Sequence, residues 1–285
     1  MFSGGVPDTH LPPSLPMADR DYVLGTNDEE IARLDLQNRV WRSRVRDGWL
    51  RAGFGRGMRI MDVGAGPGFA TIDLAELVAP SGRVIAVERS GRFLGRLRSE
   101  LEQKRWSHVE LHEADLDELA QLPATNLDGI WCRWVLSFVR QPRELVRKMV
   151  AALKPGGVVI LHEYLDYASW RLMPAVPSFE EFVRVVMASW REQGGEPDIA
   201  RALPQWFEEA GAEVVSLRPI IEVVSPGDEL WQWPSAFVYS GLDRLVEIGR
   251  LDAARAETMR AEFSRSSAQP GVRMVTPMVL EIVVR

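Results

Sequence analysis

The stretch Met61-Asp62-Val63-Gly64-Ala65-Gly66-Pro67-Gly68-Phe69 joins an apolar, strand-like run at 58–63 to a helical pattern that ends near Val78. Glycines at such a junction let the backbone turn sharply and let a ligand approach the main chain. The helix that follows offers unpaired N–H groups at its N-terminus. Because ligands of open parallel sheets bind at the carboxyl ends of the strands, we expect a binding site at this turn.

The glycine spacing distinguishes this turn from the dinucleotide-binding fingerprint. Gly64, Gly66 and Gly68 occupy the first, third and fifth positions, whereas the fingerprint has glycines at the first, third and sixth. Glu88 ends the second predicted strand, where a carboxylate can bind both hydroxyls of a ribose. Asp115 follows the third strand, where the amino group of an adenine would lie. This pattern indicates a nucleoside site and argues against a nicotinamide-dependent oxidoreductase.

Short apolar runs and helical patterns alternate through the first part of the chain. Predicted strands lie at 58–63, 83–87, 109–112, 129–135 and 158–162, and predicted helices at 28–51, from the glycine turn to about Val78, at 92–104 and at 143–153. Apolar runs without polar alternation are typical of strands covered on both faces. The alternation therefore predicts an α/β fold with a parallel, doubly wound sheet.

The alternation stops after His162. Later helices are predicted at 179–191, from Pro204 to Gly211, and over 228–264 with interruptions near Pro234 and Gly241. Two late strands, 213–224 and 274–285, are expected to extend the sheet by antiparallel pairing. The helical insertions between them are expected to cover one end of the sheet.

Composition excludes several classes of function. A single cysteine, Cys132, rules out a disulfide framework and a cysteine-based metal cluster within the chain, and no His/Asp/Glu cluster has metal-site spacing. A net charge of −6 argues against nucleic-acid binding. No apolar run reaches the length of a membrane span, and the N-terminus lacks the pattern of a secretory signal. We therefore expect a cytoplasmic protein with no stable membrane insertion and no metal.

Five motifs in this order resemble the class I S-adenosylmethionine-dependent methyltransferases. They are 62–68, Val84–Glu88, Glu113–Asp115, Leu127–Val135 and Leu153–Gly157. The stretch from Tyr22 to Gly25 and the stretch from Gly194 to Gly211 are similar to parts of the small-molecule subgroup that includes quinone and natural-product enzymes. The resemblance implies a Rossmann-like, mostly parallel seven-stranded sheet with helical caps. It also implies methyl transfer from S-adenosyl-L-methionine to a small-molecule acceptor, with S-adenosyl-L-homocysteine as product.

The resemblance divides the chain into a core and its covers. We expect a disordered arm (1–21), an N-terminal helical cover (22–54), a cofactor-binding core (55–163), a helical cap insertion (164–211), a core strand (212–226), a second helical cap insertion (227–271) and a final core strand (272–285).

The same resemblance implies a set of cofactor contacts. They are Tyr22, Arg33, Gln37, Asp62, Gly64, Ala65, Gly66, Gly68, Glu88, Arg89, Asp115, Leu116 and Arg133. The glycines would approach the methionine moiety, and Asp62 would orient the loop and the cofactor amine. Glu88 would bind ribose, while Asp115 and Leu116 would frame adenine. Structural explanations stand beside these roles: Asp62 and Asp115 could cap turns, and Arg33 with Gln37, four residues apart, could only stabilise the first helix.

Catalytic and acceptor residues are less specified. His162 ends a strand and could act as a general base near neutral pH, although a core histidine explains it equally well. An amine or acidic hydroxyl acceptor needs no base, because methyl transfer from a sulfonium depends chiefly on positioning. The chain has 10 tryptophans against 4 tyrosines, and half of those tryptophans fall in the predicted caps. Aromatic side chains expected to bind an apolar or aromatic acceptor are Trp134, Tyr164, Trp170, Trp231 and Trp233.

One alternative function and the oligomeric state stay open. A methyltransferase-like protein could bind the cofactor or a partner without catalysis. The chain could be a monomer or a homodimer. A nucleic-acid methyltransferase is disfavoured by the acidic balance and by Cys132-Arg133-Trp134-Val135, which replaces an Asn-Pro-Pro-Tyr-type motif after the fourth strand.

Overall fold

The structure, a computed structural model, describes residues 26–285. The expected arm 1–21 and Tyr22 lie outside the described residues. The helices of the described chain are α1 (Asp28–Arg51), α2 (Phe69–Val78), α3 (Gly91–Lys104), α4 (Pro142–Ala152), α5 (Pro177–Glu192), α6 (Leu203–Glu209), α7 (Glu229–Glu247) and α8 (Ala253–Ser267). Its strands are β1 (Arg59–Val63), β2 (Arg83–Glu88), β3 (Val109–Glu113), β4 (Leu127–Arg133), β5 (Leu153–Asp166), β6 (Arg171–Met173), β7 (Val214–Ile220), β8 (Val223–Val224), β9 (Arg273–Val275) and β10 (Met278–Val284).

Seven strands form the main sheet in the order β3-β2-β1-β4-β5-β10-β7. The first five are parallel, and β10 is antiparallel to both β5 and β7. The prediction of a mostly parallel seven-stranded sheet extended by two late strands is confirmed. Since β1 lies between β2 and β4, the carboxyl ends of these three strands meet at one edge of the sheet.

Both faces of the sheet are covered by helices, which explains why its strands read as uninterrupted apolar runs. Alternate residues of each strand point to opposite faces, so Ile60 and Met61 of β1 belong to different core clusters. The Ile60 side packs against α1, α2 and the cap helices α5, α7 and α8. The Met61 side packs against α4 and α6.

The first helix begins with a side-chain cap. Asn27 Oδ1 accepts a hydrogen bond from the backbone N–H of Glu30 at 2.8 Å, and three acidic residues in the first turn complement the helix dipole. The Glu30 carboxylate accepts hydrogen bonds from Arg33 instead of from the backbone N–H of Asn27. The helix therefore starts where the sequence predicts, with half of a capping box.

The two late strands are shorter than predicted because each divides. The run 213–224 forms β7 and then β8, and β8 leaves the main sheet to join a second sheet of order β6-β9-β8. The run 274–285 divides at Pro277, whose missing N–H interrupts a ladder. Thr276 ties the two break points together, since its N–H donates to Glu222 O at 3.0 Å and its Oγ1 accepts from Glu222 N at 3.1 Å. Strand β6 lies in a region predicted to contain only loops and helices.

The expected interruptions near Pro234 and Gly241 are wrong, because α7 runs continuously through both. A Cβ on Gly241 would approach Phe182 Cζ to 3.0 Å, so this glycine allows α7 to pack closely on α5 rather than ending the helix. Pro234 removes one intrahelical hydrogen bond, but buried aromatic side chains on either side, Trp233 and Phe237, hold the helix in place. The break falls instead at 248–252.

Strand β5 extends from Leu153 to Asp166, beyond the predicted 158–162. Antiparallel pairing with β10 continues as far as Asp166. A partner that is distant in sequence therefore lengthens the strand. None of the helices within 26–285 has the length and apolar character needed to cross a membrane.

Candidate functional site

A cleft opens at the carboxyl ends of β1, β2 and β4 and encloses about 1440 Å³, including its open mouth. One half is lined by the glycine turn and by acidic and basic side chains. The other half is lined by aromatic side chains from β4, β5, α5 and α7. Predicted site residues that line the cleft are Arg33, Gln37, Asp62, Gly64, Ala65, Gly66, Glu88, Arg89, Asp115, Leu116, Arg133, Trp134, Tyr164, Trp170 and Trp233.

The glycine turn combines close packing with one open position. Gly64, Gly66 and Gly68 have φ of +72°, +55° and +87°, a region that favours glycine. A Cβ on Gly64 would overlap Val135, and one on Gly68 would meet Leu97. A Cβ on Gly66 would meet no atom of the described residues within 4 Å. Gly66 therefore presents bare backbone to the cleft, whereas Gly68, which does not line it, is required for packing.

The Glu88 carboxylate lies across this turn. Its Oε2 accepts a hydrogen bond from Gly66 N at 2.9 Å, and its Oε1 accepts one from Ser90 N at 2.9 Å. Burial raises the pKa of Glu88, although the backbone N–H donors oppose that rise. Both oxygens are fixed in the wall of the cleft, where each retains lone pairs for a ligand hydroxyl.

Asp62 and Arg133 place opposite charges at the ends of the neighbouring strands β1 and β4. The buried Asp62 accepts a hydrogen bond from Thr71 Oγ1 at 2.7 Å, and desolvation raises its pKa to about 6. Burial lowers the pKa of Arg133 to about 10. Its Nη2 donates to Asn38 Oδ1 at 3.4 Å, whereas its buried Nη1 has no hydrogen-bond partner among residues 26–285. This arrangement can bind an ammonium and a carboxylate of one ligand.

Asp115 and Leu116 form the far end of the polar half. Asp115 Oδ1 accepts a hydrogen bond from Asp117 N at 2.9 Å, so the turn-capping explanation holds for one of its oxygens. The side chain also lines the cleft, together with Ala114 and Val139. A flat ring would contact apolar side chains here, with a carboxylate at its edge.

Helix α1 reaches the cleft through Arg33 and Gln37. Two Arg33 nitrogens each donate to Glu30 at 2.7 Å. Gln37 Oε1 accepts from Arg33 Nη1 at 3.3 Å and from Trp233 Nε1 at 3.2 Å. The two residues therefore belong to one hydrogen-bond network that joins α1 to α7 over the cleft. Stabilisation of α1 alone does not explain this network.

The aromatic half is built around three nearly parallel rings. Trp134 stacks on Tyr164 and on Trp233, each with ring centroids 5.5 Å apart. Trp170 also lines this half. Trp231 does not, because it is turned away from the cleft and stacks on Phe263. Residues that line this half without having been predicted as binding residues are Trp131, Phe138, Tyr167, Trp190 and Phe237.

His162 lies outside the cleft lining and is fully buried in the core. Its ring contacts Trp41 and Trp131, and its Nε2 lies 3.1 Å from Glu281 Oε2. Burial lowers the pKa of His162, against the opposing effect of Glu281. The structure therefore does not bring the predicted general base to the cleft, and a core role explains its surroundings.

Glu163, the buried residue that follows His162, has a role that the sequence leaves as open as that of His162. Its carboxylate accepts hydrogen bonds from the turn after β4, which forms part of the cleft wall. A carboxyl group inside an otherwise apolar strand, at the same edge of the sheet as Glu88, was the signal available in the sequence.

Comparison with known proteins agrees with this geometry. Residues 61–161 match the family described as "Methyltransferase domain". The seven-stranded fold and this match support the resemblance to the class I S-adenosylmethionine-dependent methyltransferases that the five motifs predict.

Individual relatives are similar over part of the chain. A ubiquinone/menaquinone biosynthesis C-methyltransferase of Pseudomonas paraeruginosa is 29% identical over 154 residues, which cover 52% of this chain and 60% of that protein. A carboxy-S-adenosyl-L-methionine synthase of Dichelobacter nodosus is 31% identical over 109 residues, or 38% of this chain and 45% of that protein. The chain thus matches less than two thirds of the length of these curated relatives, 60% of one and 45% of the other.

Solved structures show the same fold at low identity. A methyltransferase from Bacillus halodurans has a TM-score of 0.54 and 18% identity, and the alignment covers 85% of this chain and 98% of that one. A sarcosine dimethylglycine methyltransferase from Galdieria sulphuraria has a TM-score of 0.56 and 13% identity, covering 85% and 83%.

Proposed function

We propose that this protein transfers the methyl group of S-adenosyl-L-methionine to a small apolar or aromatic acceptor. The observation that carries the proposal is the continuity of the cleft. A polar half suited to a nucleoside and an amino acid passes, at Arg133 and Trp134, directly into an aromatic half. A donor in the first half and an acceptor in the second would meet at these two residues.

The polar half fits the cofactor. Glu88 would accept hydrogen bonds from the ribose hydroxyls, and Leu116 and Asp115 would contact adenine. Asp62 and the unpaired Arg133 Nη1 would bind the amino and carboxylate groups of the methionine moiety. Bare backbone at Gly66 leaves room for close approach of the ligand. When bound, the cofactor supplies an activated methyl group on a sulfonium, so the chain needs no group that makes the methyl reactive.

The protein would contribute orientation and exclusion of water. Holding two reactants in attack geometry can lower the barrier by roughly 7–11 kcal/mol. Helices α1 and α7 close over the cleft through the Gln37–Trp233 hydrogen bond. The faces of the aromatic rings attract a cationic centre, and their edges and faces can pack against a flat acceptor.

Within the described lining, the aromatic half contains neither carboxylate nor histidine. Burial raises the pKa of Tyr167 well above its ordinary value, so this phenol is not a base at neutral pH. The acceptor is therefore expected to be an amine with a free lone pair, or a hydroxyl or carbon acid that loses its proton to water. Proton removal by His162 stays a prediction, and its ring lies outside the cleft lining.

Isothermal titration calorimetry tests the cofactor. S-Adenosyl-L-methionine and S-adenosyl-L-homocysteine are expected to bind with micromolar Kd values, whereas nicotinamide dinucleotides are expected not to bind. A preference for the dinucleotide would instead support the oxidoreductase alternative. Turnover is then measured by mass spectrometry with deuterated-methyl cofactor and a panel of aromatic amines, phenols and apolar carbon acids.

Label transfer to an acceptor would support catalysis. Tight cofactor binding without transfer to any acceptor would support the non-catalytic alternative.

We also propose a cytoplasmic protein that acts on a small molecule rather than a nucleic acid, as a monomer or homodimer. Light scattering on the purified chain distinguishes the two oligomeric states. An electrophoretic shift with duplex DNA or RNA would contradict the assignment.

A further inference from the structure

Glu163 is a fully buried carboxylate near the end of β5 that does not line the cleft. Its Oε1 accepts hydrogen bonds from the backbone N–H groups of Val135 and Leu136, both at 2.7 Å. Its Oε2 accepts one from Ser137 Oγ at 2.9 Å. All three donors belong to the turn after β4, so one side chain holds three consecutive residues of a neighbouring segment.

That turn, Trp134–Ser137, forms the boundary between the two halves of the cleft. Trp134 has a φ of +52°, a left-handed conformation that costs roughly 1–2 kcal/mol for a bulky side chain. Its N–H donates to His162 O at 3.0 Å. Val135 fills the space that a side chain on Gly64 would need. Strained backbone of this kind persists only where its surroundings fix it, and Glu163 supplies three of the contacts that do so.

The same turn receives the cap. Glu196 N donates a hydrogen bond to Ser137 O at 3.0 Å, and a Cβ on Gly195 would approach Ser137 O to 2.5 Å. The loop at 194–198 thus lies directly against the turn. Displacement of Ser137 would move both the cleft wall and the loop that leads out of α5.

We propose that Glu163 is a positioning residue for methyl transfer: its carboxylate fixes the Trp134–Ser137 turn, and thereby places the Trp134 ring and Val135 between cofactor and acceptor. This inference rests on the proposed function. Glu163 touches neither reactant and acts only through the turn. The polar half of the cleft is held separately by β1, β2 and α2. Removal of the Glu163 carboxylate should therefore lower turnover far more than it lowers cofactor affinity.

Three variants separate this role from a general contribution to folding. Glu163→Gln keeps an oxygen that can accept both backbone N–H groups and an amide that can donate to Ser137 Oγ. Glu163→Ala removes all three bonds. Glu281→Gln is the matched control, since Glu281 is an equally buried carboxylate on the adjacent β10 whose hydrogen bonds go to Arg51 and His162 instead of the turn.

We expect Glu163→Ala to lower kcat at least tenfold and to change the Kd for S-adenosyl-L-homocysteine less than threefold. Glu163→Gln should restore kcat to within threefold of the wild type. Glu281→Gln should lower the free energy of unfolding without changing kcat at a temperature where it is folded. Equal kcat for Glu163→Ala and the wild type, or a loss that Glu163→Gln shares in full, would overturn the proposal.

A readout independent of activity keeps the test decisive if the proposed function fails. The amide protons of Val135 and Leu136, bonded to a carboxylate, should resonate downfield in NMR spectra and move upfield in Glu163→Ala. The Trp134 indole resonance should shift with them. If the wild type binds no cofactor but these shifts occur, the proposed function fails while the turn-holding role stands. If the resonances do not move, the positioning role is wrong.

Discussion

The Glu88 carboxylate accepts a hydrogen bond from the backbone N–H of Gly66 at 2.9 Å and so joins the end of β2 to the apex of the glycine turn. The contact spans two strands that are adjacent in the sheet. It brings the most open glycine and the acidic strand end, both predicted from sequence, to a single point in the cleft. The polar half of the site depends on this pair.

Glu88→Ala is expected to weaken binding of S-adenosyl-L-homocysteine by roughly 10–100-fold, because hydrogen bonds to a charged group contribute about 1.5–3 kcal/mol. Glu88→Gln should lose less, since it keeps one accepting oxygen. Calorimetric titration gives both values. The matched control is Glu110→Gln, on the exposed side of β3, which should bind like the wild type. Unchanged affinity in Glu88→Ala would remove Glu88 from the cofactor site.

Gly66→Ala tests the open position of the turn. Its φ of +55° makes alanine unfavourable by about 1 kcal/mol, and its methyl group would project into the cleft. Gly249→Ala is the matched control, because Gly249 has a φ of +69° and equally open surroundings outside the cleft. We expect similar losses of stability in urea titrations but loss of cofactor affinity only in Gly66→Ala. Equal affinities would show that the ligand does not approach this backbone.

The core of the fold could be predicted because its signals are local. Uninterrupted apolar runs, the glycine turn at 64–68 and the Pro155–Gly157 stop each specify structure within a few residues. The second sheet could not be predicted, because β6, β8 and β9 have only 2–3 residues each. These short strands form where Thr276 and Glu222 bring distant segments of the chain together. The sequence alone likewise predicts that Gly241 interrupts a helix. Its actual role, close packing against Phe182 of α5, depends on a contact between helices that the sequence does not show.

The polar half of the site could be predicted for the same reason, since Asp62, Glu88 and Asp115 each follow a recognisable strand. The aromatic half depends on which face of each cap helix points inward. Trp231 and Trp233 lie two residues apart on α7 and point to different places. The placement of His162 at a strand end is wrong, because β5 continues to Asp166, and strand alternation turns the His162 side chain into the core.

His162→Ala is expected to lower the free energy of unfolding by roughly 2–4 kcal/mol, because it leaves a cavity and removes the partner of a buried carboxylate, Glu281. Turnover should remain within threefold of the wild type at a temperature where the variant is folded. Urea titration and initial rates give the two quantities. A large loss of turnover with unchanged stability and cofactor affinity would instead establish His162 as the general base.

The stability of the protein should depend on pH through Glu163. Desolvation raises the pKa of Glu163 from 4.5 to about 7 in the folded state. Between these values the unfolded chain loses this proton while the folded chain keeps it, so the folded state is progressively disfavoured as pH rises. From pH 4.5 to pH 7, the free energy of unfolding of the wild type should therefore fall by about 3 kcal/mol relative to that of Glu163→Gln. Chemical denaturation at several pH values measures it, and a constant difference would contradict the raised pKa.

Trp233 and Trp231 offer a paired test of the acceptor half, since both are buried on α7 but only Trp233 lines the cleft. Trp233→Leu removes the stack on Trp134 and the hydrogen bond to Gln37. We expect the KM for an aromatic acceptor to rise about tenfold, in keeping with the roughly 1.5 kcal/mol upper value of an aromatic pair. The Kd for S-adenosyl-L-homocysteine should change less than threefold, since the polar half is lined by other residues. Trp231→Leu should lower the free energy of unfolding about as much as Trp233→Leu does, without changing the KM. If both variants alter the KM equally, the acceptor does not bind against Trp233, and the effect comes from movement of the whole helix.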